Sequence, residues 1–434
     1  MNEGATNIMT FSNNPEFAIQ KDQQDPLASY RQKFLFPQHD NKPMLYFTGN
    51  SLGLQPIGVR EALLQECADW EKFGVEGHML SKNPWYSYHE RFTQGSAKLV
   101  GALEEEVVVM NQLTVNLQLL LISFYRPSGK RNKILFEHKP FPSDQYAFES
   151  QAKLHGLNPE DVLVEMKPRT GEYNLHTEDI LSKIEELGPE LALVCFGGVN
   201  YFTGQFFHLE SITQKTHSVG AIAGFDLAHT AGNLPLELHN WNVDFACWCT
   251  YKYLNSGPGS VGGVYIHQRH VKNPDLIRLA GWWGHDKSTR FNMEPNFQPM
   301  KTAESWQLSN APIMSMAVHK VALDLFSEAG MPAIRKKSVE LTAYLEYILG
   351  EVQNETGVAL EIITPSNPEE RGAQLSVIVL GATKSLVSRL WDAGVVVDWR
   401  EPNVIRMAPA PLYNSFTDIY SFGKVFSNLL QAKP

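Results

Sequence analysis

From Asp244 to Gly259 the chain reads DFACWCTYKYLNSGPG, an apolar run that stops at Lys252 and gives way to a glycine-rich turn. Lys252 lies between Tyr251 and Tyr253, and no carboxylate occurs between residues 245 and 259. Apolar surroundings favour the neutral, nucleophilic amine that a Schiff-base lysine requires. The stretch therefore predicts a strand that delivers such a lysine, and a pyridoxal 5'-phosphate (PLP) enzyme is the leading interpretation. The alternative is a lysine at a strand end that extends into water.

A second apolar run, AIAGFDLAH from Ala221 to His229, ends in an acid and a histidine. A carboxylate at the end of a buried strand can pair with a protonated pyridine nitrogen, which makes the ring an electron sink. Between Asp226 and Lys252 there is enough chain for one crossover and a second strand, so both groups can reach one edge of a parallel sheet. As an alternative, Asp226 caps a helix and His229 is an ordinary packed residue.

Two further segments have the pattern of a strand followed by a helix. Residues 107–114 predict a strand and a helix start, where Thr114 caps the helix and the first-turn amides face an anion. Residues 141–144, with the sequence FPSD, follow the apolar strand 133–138. There Phe141 can stack on a pyridine ring while Ser143 or Asp144 orients it, or Ser143 or Asp144 simply caps a helix.

Seven motifs of the chain, in order, resemble those of the kynureninase family and span nearly its whole length. They are YFTGNSLGLQP at 46–56, NQLTVNL at 111–117, FPSD at 141–144, FDLAH at 225–229, TYKYLNSGPG at 250–259, GWWGH at 281–285 and RMAPAPLYN at 406–414. The resemblance implies hydrolytic cleavage of the Cβ–Cγ bond of L-kynurenine or 3-hydroxy-L-kynurenine. The products are L-alanine and anthranilate or 3-hydroxyanthranilate, and the cofactor is PLP joined to Lys252.

The resemblance also implies residue roles. Lys252, Asp226 and Tyr251 are the expected catalytic residues, Arg406 binds the substrate α-carboxylate, and Tyr251 either contacts the phosphate or relays a proton. The cofactor is expected to contact Leu113, Thr114, Phe141, Ser143, Asp144, Asp226, His229, Tyr251 and Lys252, together with Trp282 and Asn310 from the partner subunit of a homodimer with shared active sites. Ser51, His78 and Asn310 are expected to recognise the aromatic end of the substrate.

Strand-like runs alternate with helical patterns as far as residue 267, which predicts a mainly parallel sheet covered by helices on both faces. This α/β architecture is the one expected of a fold-type I PLP-dependent, transferase-like enzyme. We expect an N-terminal arm and lead-in at 1–50, a large PLP-binding domain at 51–309 and a smaller α+β C-terminal domain at 310–434. In the last of these, Arg406 lies on a strand and points back toward the cofactor cleft.

Composition fits a soluble enzyme with a small-molecule amino-acid substrate. The 434 residues carry a formal net charge of -10 and no Lys/Arg cluster, which argues against nucleic acid as a partner. No run is long and apolar enough to predict a membrane span, and a signal peptide is not indicated, so a cytoplasmic location is expected. Cys247 and Cys249 have the wrong spacing for a zinc site, and no metal site is predicted.

Two other functions remain open. One is another PLP enzyme of the same group, a cysteine desulfurase or an aminotransferase; the C-terminal region lacks the mobile-loop cysteine that a desulfurase needs. The other is a PLP-binding protein without catalysis, against which the joint presence of Lys252, Asp226 and Arg406 weighs.

Overall fold

A seven-stranded sheet forms the centre of the larger part of the chain in the computed structural model, which describes residues 11–273 and 275–432. Its strands are β1 (Val107–Met110), β2 (Lys133–Phe136), β3 (Leu163–Glu165), β4 (Leu191–Gly197), β5 (Ile222–Asp226), β6 (Phe245–Trp248) and β7 (Gly262–Ile266). They lie in the order β1-β7-β6-β5-β4-β2-β3, and β7 runs antiparallel to both of its neighbours while the other pairs are parallel. The prediction of a mainly parallel sheet is therefore confirmed.

Helices cover both faces of this sheet because successive strand residues alternate between two apolar clusters. Val109 belongs to one cluster and Val108 to the other, as do Trp248 and Cys247. Every residue of β1, β6 and β7 is buried, as expected for strands covered on both sides.

The helices before the small sheet are α1 (Pro15–Gln23), α2 (Val59–Phe73), α3 (Gly77–Leu80), α4 (Thr93–Val100), α5 (Leu113–Phe124), α6 (Pro142–Leu154), α7 (Pro159–Val162), α8 (Thr177–Leu187), α9 (Leu209–Ser218), α10 (Gln268–Val271), α11 (Ile313–Ala329) and α12 (Met331–Thr356).

A four-stranded antiparallel sheet forms the centre of the C-terminal part. Its strands, β8 (Leu360–Ile362), β9 (Leu375–Val379), β10 (Asp398–Arg400) and β11 (Val404–Met407), lie in the order β8-β9-β11-β10. It is accompanied by α13 (Ser385–Asp392) and α14 (Phe416–Gln431). Helix α14 begins with a capping box in which Ser415 and Asp418 bond each other's backbone N–H groups.

The N-terminal segment is tied to the C-terminal part. Helix α1 packs on α14, and both oxygens of Asp22 accept hydrogen bonds from the first turn of that helix. Strand Leu45–Tyr46 pairs in parallel with Val395–Val396. The expected arm at 1–50 thus contains an ordered helix, while residues 1–10 lie outside the described range. The domain limits at 50/51 and 309/310 remain a prediction.

Among the described residues, the model contains no helix with both the length and the apolar character needed to cross a membrane. The cytoplasmic location remains a prediction.

Candidate active site

Lys252 and Asp226 lie at the same edge of the large sheet. Strands β5 and β6 are parallel neighbours, with Asp226, the last residue of β5, opposite Cys247. The chain continues from β6 into the loop that carries Lys252. The carboxyl edge of a parallel sheet is where ligands bind in α/β proteins, and the expectation that both groups reach it is confirmed.

The Lys252 amine is enclosed by aromatic rings and a histidine. Its Nζ lies 3.0 Å from Nε2 of His229, 5.6 Å from the centroid of the Phe141 ring and 5.8 Å from that of Tyr251. Burial, followed by the positive charge of Lys252, holds the pKa of His229 well below its ordinary range. His229 is therefore neutral, and its Nε2 can accept a hydrogen bond from the amine.

The loop after β6 is held from two sides. Gly53 N–H donates to the Tyr251 carbonyl at 2.8 Å, and Asn255 N–H donates to the Lys252 carbonyl at 3.0 Å. A Cβ on Gly53 would collide with the Lys252 carbonyl and with Asn255, so only glycine permits this approach. The opening motif at 46–56 thereby fixes the backbone that presents the lysine.

Two buried carboxyl groups share a proton beside the amine. Asp144 and Asp226 are hydrogen-bonded to each other, and burial, with the neighbouring carboxylates, raises the pKa of Asp144 well above its ordinary value. Burial also raises the pKa of Asp226, but Lys252 and the Ala228 N–H, at 2.7 Å from Oδ1, oppose that effect. Asp144 is thus the protonated donor and Asp226 the ionised acceptor.

A third carboxyl group, Glu137, lies at the end of the neighbouring strand and lines the same cavity. It is buried, and both of its oxygens lie 3.1 Å from the Gly197 N–H. Sequence analysis missed it, although a charged residue directly after an apolar strand is a recognisable signal.

Replacing Glu137 with glutamine is expected to remove a pH dependence of stability. Burial raises the pKa of Glu137 from 4.5 to about 7. The folded protein therefore keeps a proton that the unfolded chain releases, so wild-type stability falls by roughly 3 kcal/mol as pH rises through that interval. Glutamine still accepts from Gly197 but does not titrate. Urea unfolding at pH 5 and pH 8 measures the difference, with the exposed Glu361→Gln as the control; equal pH dependence in all three proteins would contradict this assignment.

The N-terminus of α5 forms one wall of the cavity, but its cap differs from the prediction. The N-cap is Gln112, whose side chain makes no capping bond, and Thr114 is the second residue of the helix. Thr114 is exposed, so its hydroxyl and the first-turn amides both remain available to an anion. The prediction that Thr114 caps the helix was wrong, whereas the helix start itself is confirmed.

The FPSD segment also enters its helix differently from either expected cap. Phe141 is the N-cap of α6 and makes no side-chain capping bond, while Asp144 turns inward to Asp226. The Phe141 ring is partly exposed to the cavity and packs edge-on against Tyr201 at 5.3 Å. Tyr201 is another residue that sequence analysis missed; it lies in the loop after β4.

The cavity has a volume of about 330 Å³. Nine of the predicted cofactor contacts line it: Leu113, Thr114, Phe141, Ser143, Asp144, Asp226, His229, Tyr251 and Lys252. The remaining lining residues are Gln112, Val115, Glu137, Gly197, Val199, Tyr201 and Ala228. The structure therefore brings together in one chain the predicted contacts that were not assigned to a partner subunit.

Arg406 lies on β11, directly behind Tyr201. It is 1% exposed, and its Nη1 donates to the Tyr201 carbonyl at 2.6 Å. Ser51 Oγ lies 3.2 Å from Arg406 Nη2 and donates to Asp398 at 2.7 Å. Ser51 thus lies beside the guanidinium in this structure.

Three predicted residues lie outside the cavity of their own chain. His78, on α3, bonds the Val75 carbonyl at 2.9 Å and packs edge-on against Trp85. Trp282 is 47% exposed, and Asn310 is also exposed. The latter two are the residues expected to act on a partner's cofactor.

Comparisons with known proteins point to one group of enzymes. Residues 334–426 match the family model described as the kynureninase C-terminal domain. Kynureninase of Flavobacterium johnsoniae is 54% identical over 98% of this chain and 100% of its own length. Kynureninase of Myxococcus xanthus is 52% identical over 95% of this chain and 97% of its own.

Solved structures share the fold at much lower identity. A cysteine desulfurase of Thermococcus onnurineus superposes with a TM-score of 0.71 at 19% identity, covering 98% of this chain and 100% of its own. The enzyme C-DES, with glycine covalently linked to its PLP cofactor, gives 0.73 at 17% identity, covering 88% and 96%. The fold is therefore that of fold-type I PLP enzymes, as predicted.

Proposed function

The chain belongs to the kynureninase family, and from that premise we propose that it hydrolyses the Cβ–Cγ bond of L-kynurenine and 3-hydroxy-L-kynurenine with PLP as cofactor. The products are L-alanine and anthranilate or 3-hydroxyanthranilate. One water is consumed; its oxygen enters the new carboxylate, and Cβ gains a hydrogen. The observation that carries the proposal is the pairing of Lys252 and Asp226 in one cavity, in a chain that is 54% identical to a kynureninase over nearly its full length.

The cavity residues fit PLP. The N-terminal amides of α5 and the Thr114 hydroxyl suit a phosphate, Phe141 offers a ring face, and ionised Asp226 suits a protonated pyridine nitrogen. Within the described residues, Nδ1 of buried His229 has no hydrogen-bond partner, which fits a polar group placed there by a ligand. When bound, PLP withdraws electrons from the bonds around the substrate Cα.

The chain's own groups supply the proton transfers. Lys252 is the covalent anchor, and after substrate displaces it, the free amine removes the proton from Cα. Neutral His229, 3.0 Å away, accepts a hydrogen bond from that amine and so orients it. The proton held by Asp144 leaves Asp226 as the ionised member of the pair. The Tyr251 hydroxyl either contacts the phosphate or relays a proton.

Arg406 is the proposed site for the substrate α-carboxylate. Its guanidinium is planar and can bind a carboxylate through two N–H groups. Burial lowers the pKa of Arg406, and the Asp398 carboxylate opposes that effect. The Tyr201 carbonyl fixes Nη1, so the orientation of the guanidinium is set before substrate binds.

A turnover assay tests the function. The holoenzyme with L-kynurenine should release alanine and anthranilate in equal amounts. Release of sulfur from cysteine or transfer of the amino group to a keto acid, without anthranilate, would favour another PLP enzyme of the same fold. Similarity to the desulfurases is limited to the fold, since their identity is 16–19%. Cofactor binding with no turnover of any of these substrates would favour a non-catalytic protein.

His78 and Asn310 are proposed to recognise the aromatic ring and to favour the 3-hydroxy substrate. A pair of hydrogen-bonding side chains can bind the added hydroxyl, and a site built for a hydroxyl discriminates against ligands that lack it. Comparing kcat/KM for the two substrates tests this preference. Equal or better use of unsubstituted kynurenine would contradict it.

We also propose a homodimer with shared active sites. Trp282 and its neighbours Phe291 and Met293 expose large apolar surface, and so do Trp70 and Val75 around α2. Apolar residues exposed together are typical of surfaces that another protein covers. A second copy would bury them and bring Trp282 and Asn310 to the partner's cofactor.

Mixing two inactive variants is expected to restore activity. In a dimer of Lys252→Ala and Trp282→Ala chains, one site combines the intact Lys252 of one chain with the intact Trp282 of the other. Random exchange of subunits should therefore recover about a quarter of wild-type activity. The assay follows turnover after equimolar mixing, with each variant alone as its control. No recovery, despite subunit exchange shown by differently tagged chains, would contradict sharing through Trp282.

A further inference from the structure

Two arginines of the small sheet converge on one carboxylate. Asp398 begins β10 and lies directly opposite Arg406 on the neighbouring antiparallel strand β11. Its Oδ2 accepts a hydrogen bond from Arg406 Nη2 and another from Arg400 Nη2 at 3.0 Å. Ser51 Oγ donates to the same oxygen at 2.7 Å. We call Asp398, Arg400 and Arg406 the arginine cluster.

The arginine cluster carries one net positive charge. Two guanidinium groups contribute two positive charges and Asp398 removes one. Within the described residues, Asp398 is the only acid that forms an ion pair with either arginine. A buried charge needs a partner, and the Arg406 side chain is 1% exposed. One added carboxylate would therefore bring the cluster to neutrality.

Both guanidinium groups face the side of the proposed substrate. Each Cζ lies 5.9 Å from the centroid of the Tyr201 ring, which lines the cavity. The Nε atoms of Arg400 and Arg406 are buried and have no hydrogen-bond partner among the described residues. Donors remain free on both arginines, yet Asp398 compensates only one of the two charges.

We propose that Asp398 determines substrate specificity by matching the arginine cluster to an amino acid with a single carboxylate. Asp398 occupies Arg400, so that a second carboxylate on the ligand meets an acid instead of a free guanidinium. Repulsive elements of this kind select against the wrong ligand and need not improve binding of the right one. The inference rests on the proposed role of Arg406 as the α-carboxylate site and adds a reason for rejecting dicarboxylic amino acids.

Binding of L-alanine and L-aspartate to the holoenzyme tests the proposal, with the absorbance change of the bound cofactor as the readout. Asp398→Asn should lower the ratio of the dissociation constants for aspartate and alanine by at least about tenfold, because a charge-assisted contact to Arg400 becomes available. Asp392→Asn removes the same charge from an exposed site and should leave the ratio unchanged. Adding Arg400→Gln to Asp398→Asn returns the net charge to one and should restore the wild-type ratio.

Equal changes for both amino acids in Asp398→Asn, or no change in the ratio, would overturn the proposal. If that variant does not fold, Arg400→Gln alone gives a cluster with no net charge, and alanine should then bind about tenfold more weakly; unchanged binding would also overturn it. Arg406→Met separates the two levels of the argument. Alanine binding that is insensitive to Arg406→Met defeats the proposed α-carboxylate site, whereas sensitivity with an unchanged ratio in Asp398→Asn defeats only the specificity role.

Discussion

Replacing Lys252 with alanine is expected to lower kcat for kynurenine cleavage by at least about a thousandfold. The variant loses both the covalent anchor and the base that removes the Cα proton. The neighbouring groups cannot replace it, because His229 is neutral and its Nδ1 faces away from the amine, without a partner among the described residues. Turnover by wild-type and variant holoenzyme, followed by alanine release, measures the effect.

Lys384→Ala is the matched control, since it removes an exposed lysine at the start of α13. That variant should keep wild-type kcat. Substantial turnover by the purified Lys252→Ala protein, free of wild-type contamination, would remove the assigned base and anchor together.

Replacing Asp226 with asparagine is expected to lower kcat by about a hundredfold to a thousandfold. Asparagine fills the same volume beside Asp144 and can still accept from the Ala228 N–H. It carries no negative charge, so it does not favour a protonated ring nitrogen, and the electron-withdrawing capacity of the cofactor falls. The expected loss therefore lies mainly in kcat, with a smaller change in KM.

Asp226→Glu keeps the charge and serves as the comparison. It should retain more activity than the asparagine variant, although its longer side chain disturbs the close pair with Asp144. Equal activities of the glutamate and asparagine variants would contradict a role that depends on charge. Full activity of Asp226→Asn would contradict the assignment of Asp226 altogether.

Sequence patterns predicted the sheet well because its strands are buried on both faces. Continuous apolar runs such as Phe245–Trp248 are hard to read as anything but core strands, and polar residues such as Asp226 mark their ends. The reversal of β7 was not predicted, since strand direction depends on how the chain returns after the Gly257–Gly259 turn. β8 was missed because Leu360–Ile362 is short and only partly buried.

The cavity wall was predicted from motifs, but its hydrogen-bonding details were not. Thr114 has a good capping side chain, yet the strand leads into the helix two residues earlier, at Gln112. Glu137 and Tyr201 entered the site through folding, because the ends of β2 and β4 meet the cavity from different parts of the chain. The ion pair between Asp398 and Arg406 depends on the register of two antiparallel strands, which their sequences do not specify.

The most direct test of the central claim is reduction of the PLP-loaded protein with borohydride, followed by peptide mapping. The account predicts a yellow holoenzyme whose visible absorbance is lost on reduction, with one pyridoxyl group attached to Lys252 in the peptide that contains residues 250–259. A colourless protein in excess PLP, or a label on any lysine other than Lys252, would contradict it.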